Sequence, residues 1–291
     1  MLKKIIKDKN VVITDGSMGT YLEILGYKGK TPELALTECP DLIKRVHTDY
    51  IEAGANIILT DTFGANKLRL DKKGLAEKIV YFNTKAVEIA SEARGTQEVA
   101  IAGDIGPTGA FLQPYGELTQ REAGDIFLQQ AEILKEAGAD FILLETFQDL
   151  EELKTAFHSI KEKIDVFVLP SITIALGDNL KTLMGQSLED IARFVESEQL
   201  EVIGINCGIS SKEMVKVVKR LKSFTDADLW VKPNAGQPHL VDGDIIYPEN
   251  SEEFVGNCLE MVRNGVKFIG GCCGTTPQYI NLLKAGIDEN S

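Results

Sequence analysis

"EAGADFILLE", residues 136–145, leaves an amphipathic stretch through a glycine, enters an unbroken apolar segment and stops at a glutamate. "EAGANIILT" at 52–60 and "RNGVKFIGG" at 263–271 repeat the phrase in different letters. In each, the glycine suits the left-handed turn that ends a helix, and a strand follows at once. A chain that repeats helix, glycine, strand and polar residue alternates α and β and stacks its strands in parallel. Working outward, apolar runs recur as "VVITD" (11–15), "NIILTD" (56–61), "EVAIAGD" (98–104) and "ADFILLET" (139–146). They continue as "DVFVLPSIT" (165–173), "EVIGIN" (201–206), "DLWVKPN" (228–234) and "VKFIGG" (266–271). Near-continuous hydrophobicity, rather than alternation, marks strands covered on both faces. Segments such as "TQREAGDIFLQQAEILKEAG" (119–138) and "LEDIARFVES" (188–197) carry apolar residues at helical spacing. Eight evenly spaced strands predict a (β/α)8 TIM barrel forming a single domain over residues 1–291. A doubly wound sheet uses the same ingredients and is the alternative; strand count and spacing favour the barrel. The longer aperiodic stretches, 105–118 and 234–250, follow the third and seventh strands.

Composition narrows the function. The chain is 44% hydrophobic over 291 residues, ample for a large core. No apolar run approaches the length of a membrane span. The opening "MLKKIIKDKN" lacks the apolar stretch and cleavage site of a signal peptide. A cytoplasmic protein is expected, beginning with a short helix or arm. The net charge of −13 argues against nonspecific binding to nucleic acid or an anionic membrane, which needs concentrated positive charge. Five cysteines, an odd number spread along a chain without an export signal, argue against a disulfide framework.

The unusual polar residues fall at the C-terminal ends of the predicted strands. They are Asp15, Asp61, Asp104, Glu145, Asn206, Cys207, Asn234, Cys272 and Cys273. In a barrel these ends meet around one mouth, so Cys207 can reach Cys272 and Cys273 across it. Three thiolates with an open fourth position form a known zinc arrangement, and the glycines of "GGCCG" let neighbouring residues turn toward one ion. Free cysteine is also a common buried hydrophobe, which is the preferred reading of Cys39 and Cys258. A cysteine nucleophile is the competing chemistry, and His239 is then its sole plausible base. Asp15 is equally suited to capping a helix. Glu145, approached through "FILL", needs a positive partner. A small zwitterion held by Asp15 and Glu145, with a thiol reaching the metal, satisfies these requirements. A phosphate-binding barrel with Lys232 as a Schiff-base lysine and an anion nest ahead of Pro277 ranks second, because it leaves two adjacent cysteines unexplained.

Several motifs carry a family likeness: "DGSMGT" (15–20), "TDTFGAN" (60–66), "GDIGPTG" (103–109), "ADFILLETFQDLEE" (139–152), "GINC" (204–207), "KPNAGQP" (232–238) and "GGCCGTTPQYI" (270–280). Over essentially its whole length the chain resembles the homocysteine-dependent methyltransferases, most closely the homocysteine-binding module of the cobalamin-dependent methionine synthases. The resemblance implies Zn2+ held by Cys207, Cys272 and Cys273. It further implies an L-homocysteine amino group bound by Asp15 and Glu145, with Gly16 and Thr60 lining the amino-acid pocket and main-chain groups holding the carboxylate. Ser17 stands where relatives usually have a second glycine, and Asp61 where they often have another polar or aromatic residue. Methylcobalamin on a separate module or subunit is the implied donor, alongside folate-binding and cobalamin-binding modules as partners. S-Methylmethionine or betaine, used by a free-standing enzyme, is the alternative. A homocysteine-binding module inactive without its partner domains is the reading from another class.

Overall fold

A computed structural model describes residues 1–29, 31–175, 177, 179–241 and 244–290. Its strands are β1 (Val12–Ile13), β2 (Ile57–Leu59), β3 (Ala100–Ile105), β4 (Phe141–Phe147), β5 (Val168–Ile172), β6 (Val202–Ser210) and β7 (Asp228–Asn234). They are followed by β8 (His239–Val241), β9 (Asp244–Ile246) and β10 (Val266–Ile269). Eight of them form one parallel sheet in the order β1-β10-β7-β6-β5-β4-β3-β2. The two ends of that order meet: Thr14 bridges Ile57, and Asp15 N–H donates to Ile57 O at 3.0 Å. The sheet is therefore a closed (β/α)8 barrel, as the strand spacing predicts. Closure brings residues far apart in sequence to one rim, which a doubly wound sheet would leave at distant edges.

Both faces of the eight barrel strands are buried, for different reasons. Ile13, Ile58, Ile101, Ile142, Ile203 and Ile269 face the helices that wrap the barrel. Val12, Ile57, Ala100, Ala102, Phe141, Leu143, Leu169, Trp230 and Phe268 fill the interior. Phe141, Trp230 and Phe268 touch edge to face or at a tilt, with ring centroids 5.6–6.2 Å apart, and make an aromatic floor. Below it the N-terminal helix Leu2–Asp8 inserts Leu2 and Ile5 into the same cluster and plugs the barrel.

The period of two continues past this floor. The inward series of β3 runs Ala100, Ala102, Asp104; that of β4 runs Phe141, Leu143, Glu145; that of β7 ends Trp230, Lys232. One register thus carries an apolar layer below and a polar layer above. Between strands, several of the helices start on side-chain caps. Thr119, Ser187 and Ser210 each form a reciprocal capping box. Gly138, in the left-handed region, ends helix Gln120–Ala137 and hands the chain to β4. The stretch after β7 departs from the sequence reading: 234–250 contains an antiparallel β8–β9 hairpin over the mouth, with Leu240 and Ile245 exposed. Among the described residues no helix is long and apolar enough to cross a membrane.

Candidate active site at the mouth of the barrel

β6 delivers Cys207 through a backbone that leaves strand geometry. Cys207 has φ 58° and Gly208 φ 74°, two consecutive left-handed residues where the pairing with β7 shifts register. A Cβ on Gly208 would lie 2.3 Å from the Ile174 carbonyl oxygen, so this turn requires glycine. β10 delivers the other two cysteines through a pinned loop. Cys272 N–H donates to Pro233 O at 2.8 Å, and Cys273 O accepts from Ala235 N–H at 2.9 Å. Thr275 Oγ1 donates to Cys272 O at 2.7 Å, and Gly274 N–H donates to Thr20 Oγ1 at 3.1 Å. A Cβ on Gly271 would meet the Thr275 side chain at 2.4 Å, which explains one glycine of "GGCCG".

The three sulfurs lie within 4.8 Å of one another, and Cys207 Sγ is 3.9 Å from Cys273 Sγ. Asn206 steadies them: its Nδ2 donates to Thr146 Oγ1 at 2.6 Å and lies 4.0 Å from Cys272 Sγ. Its Oδ1 accepts from Ser171 Oγ and Thr146 N. Hydrogen bonding among the thiols pushes Cys272 well up and draws Cys273 well down. A cation among the three would favour the thiolate form of each.

Across the cavity lies a second cluster of charge. Lys232 Nζ donates to Asp15 Oδ1 at 2.8 Å and sits 3.7 Å from Glu145 Oε1. Burial disfavours the charged amine, but the carboxylates of Asp15 and Glu145 outweigh it and hold Lys232 as an ammonium. Asp15 Oδ2 accepts from Leu59 N–H at 2.7 Å, so both its oxygens are engaged. Burial pushes the carboxyls of Asp15, Glu145 and Asp104 up. Glu145 Oε1, Asp104 Oδ1 and Asp61 Oδ2 are enclosed with no hydrogen-bond partner among the described residues.

Both clusters open into one cavity of about 480 Å³, lined among others by Asp15, Gly16, Thr60, Glu145, Lys232 and the three cysteines. The residues expected to hold metal or substrate, together with Asp61 and Asp104, line this cavity, whereas Asn206, Asn234 and His239 do not. Thr60 arrives with its hydroxyl occupied, accepting from Asp104 N–H at 3.0 Å and sharing a hydrogen bond with Thr62. Gly16 lies against Tyr50, whose hydroxyl would be 2.7 Å from an added Cβ. Asp15 caps no helix; Ser17, the departure from the family pattern, caps Met18–Ile24 by accepting from Thr20 N–H. Cys258 is buried in the outer core and Cys39 packs at its margin, as filler. His239 is exposed on the hairpin.

Two residues were not nominated for this cluster. Lys232 forms its ion pair across 217 positions of sequence, but a lysine in the inward register of an apolar strand was the available signal. Tyr247 reaches the cavity from beyond the hairpin and packs over Gly274, a placement with no local signature.

Comparison with known proteins gives a consistent result. The profile of the family described as Homocysteine S-methyltransferase matches residues 12–287. The methionine synthase of Mycobacterium leprae is 29% identical over 300 residues, covering 96% of this chain and 24% of that protein. Homocysteine S-methyltransferase 3 of Zea mays is 28% identical over 96% of this chain and 90% of its own length. The metallated form of the homocysteine methyltransferase MmuM from Escherichia coli superposes with a TM-score of 0.82 at 26% identity, covering 98% of this chain and 99% of that one. The chain therefore spans about a quarter of the mycobacterial protein and most of the other two.

Proposed function

Because the chain belongs to the homocysteine S-methyltransferase family, we propose that it binds L-homocysteine and presents the sulfur, as thiolate, to a methyl group, giving methionine. One observation carries this reading: three sulfurs and a carboxylate–lysine cluster line a single cavity with room for an amino acid. A thiol at one end and a zwitterion at the other match homocysteine.

The cysteines fit zinc. Tetrahedral ligation at about 2.3 Å per sulfur sets neighbouring sulfurs about 3.8 Å apart, close to the 3.9 Å between Cys207 and Cys273. Cys207, Cys272 and Cys273 would hold the ion, which when bound supplies the positive charge that favours a thiolate over a thiol. The rest of the work falls to the chain. Glu145, whose Oε1 makes only the longer 3.7 Å ion pair with Lys232, receives the ammonium, and Asp15 acts beside it while holding Lys232 in place. Gly16 keeps the wall clear, and Thr60 fixes the strand end from which Asp104 projects. These contacts fix the direction from which the sulfur meets the methyl group, replacing a chance encounter with a held geometry.

For the donor, we favour methylcobalamin carried by a cobalamin-binding module, with a folate-binding module as further partner, in a cytoplasmic assembly. In this assembly residues 1–291 are the homocysteine-binding barrel. Near-complete coverage of the maize and E. coli proteins favours a second reading, a free-standing enzyme using S-methylmethionine or betaine. The experiment supplies zinc-loaded protein and homocysteine with each of the three donors in turn and measures methionine by mass spectrometry. Methionine from one donor identifies it. Homocysteine binding without methionine from any donor identifies a loading module. Absence of homocysteine binding by zinc-loaded protein would overturn the proposal.

A further inference from the structure

We infer that Asp104 is an additional substrate-binding carboxylate, taking an N–H of the homocysteine ammonium beside Glu145. The inference rests on the homocysteine reading above. It begins from an imbalance among buried acids. Asp15 receives Lys232 and Leu59 N–H; Glu33 receives Gly64 N–H and Lys73; Glu152 receives Thr108; Glu249 receives Ser211 and Asn257. The Asp104 carboxylate, only 4% exposed, receives no hydrogen bond from any described residue, and its Oδ1 is fully enclosed; Asp61 Oδ2 is likewise without a donor, but it lies one strand further from Glu145. Only the backbone of Asp104 is engaged, through Thr60 and Thr62. An enclosed carboxyl without a donor costs stability, and among the described residues only the charge of Lys232 favours its ionised form.

Position supplies the missing partner. β3 lies between β2 and β4, and Asp104 continues its inward register. It therefore stands at the cavity wall between Asp61 and Glu145. Lys232 is the one cation lining this cavity among the described residues, and Asp15 and Glu145 already share it. An ammonium has three N–H donors and Glu145 cannot satisfy all of them. The adjacent unpartnered oxygen is that of Asp104. Burial and the neighbouring Glu145 charge both push its carboxyl up, and an arriving ammonium offsets both.

The test compares homocysteine with 4-sulfanylbutanoate, which keeps the thiol and carboxylate but lacks the amine. Zinc-loaded wild type and Asp104→Asn are titrated calorimetrically with each. Homocysteine affinity is expected to fall roughly tenfold in the variant, the scale of one charge-assisted hydrogen bond, while 4-sulfanylbutanoate binding is unchanged. A purely structural role would weaken both ligands together and overturn the inference, as would unchanged homocysteine affinity. Should Asp104→Asn fail to fold, a homocysteine complex of the wild type decides: the ammonium nitrogen lies within hydrogen-bonding distance of an Asp104 oxygen, or the inference is wrong. Wild type that binds no homocysteine overturns the functional proposal itself. Wild type that binds, with an indifferent variant, overturns only the role of Asp104.

Discussion

At Cys207 the backbone adopts a φ that few residues other than glycine accept, and it does so one step before a glycine that does the same. Strain at this position is retained because the surrounding structure fixes it. Cys207→Ala is expected to lose bound zinc on dialysis, as are Cys272→Ala and Cys273→Ala, whereas Cys258→Ala keeps it. Full metal content in Cys207→Ala, measured by atomic emission, would refute the three-cysteine site. Glu145 allows a separate test. Glu145→Gln keeps a hydrogen-bonding group and removes charge, so homocysteine affinity should fall by about 1–3 kcal/mol at unchanged zinc content. Wild-type affinity in a calorimetric titration would contradict the role. Lys232→Met leaves two buried carboxylates without their cation and should destabilise folding by about 3–5 kcal/mol in urea. A midpoint equal to wild type would show that the ion pair does not support the fold. The sequence exposed the cysteines and carboxylates because their types are improbable at the ends of apolar strands. It concealed the ion pair of Lys232 because that partnership depends on barrel closure rather than local spacing.

Individual elements were legible to the extent that burial patterned them. β7 spans 228–234, as the hydrophobic run predicts, and β3 and β4 differ from their runs only at the ends. β6 outruns its prediction, reaching Ser210 instead of 206, because the register shift at Cys207–Gly208 interrupts the apolar pattern without ending the pairing. The β8–β9 hairpin was illegible for the opposite reason. Its residues are largely exposed, so no buried face imposes a period of two. The turn in β6 is itself testable. Gly208→Ala places a Cβ against a carbonyl oxygen in a left-handed backbone, a cost of about 1–3 kcal/mol or more. The expected outcome is sharply reduced zinc retention with the far-ultraviolet circular dichroism of the barrel preserved. Normal retention would mean that the turn relaxes without moving Cys207.

For the molecule as a whole, the two hydrophobic clusters and the thiol cluster occupy different levels. Neither Cys207, Cys272 nor Cys273 belongs to the interior or outer core. Chelation should therefore leave the barrel folded, with its circular dichroism spectrum intact and homocysteine binding abolished. Collapse of the spectrum on chelation would show that the metal is part of the folding energy. The fold class was legible because eight buried strands leave a signature that repeats; the donor was not, because the site residues that the sequence singles out concern the acceptor's thiol and ammonium alone. The aromatic floor of Phe141, Trp230 and Phe268, sealed from beneath by Leu2 and Ile5, has a kinetic meaning as well. It makes the cavity a cul-de-sac. Amino-acid reactant and product share one doorway, so methionine must depart before the next homocysteine can settle, and added methionine should inhibit competitively against homocysteine.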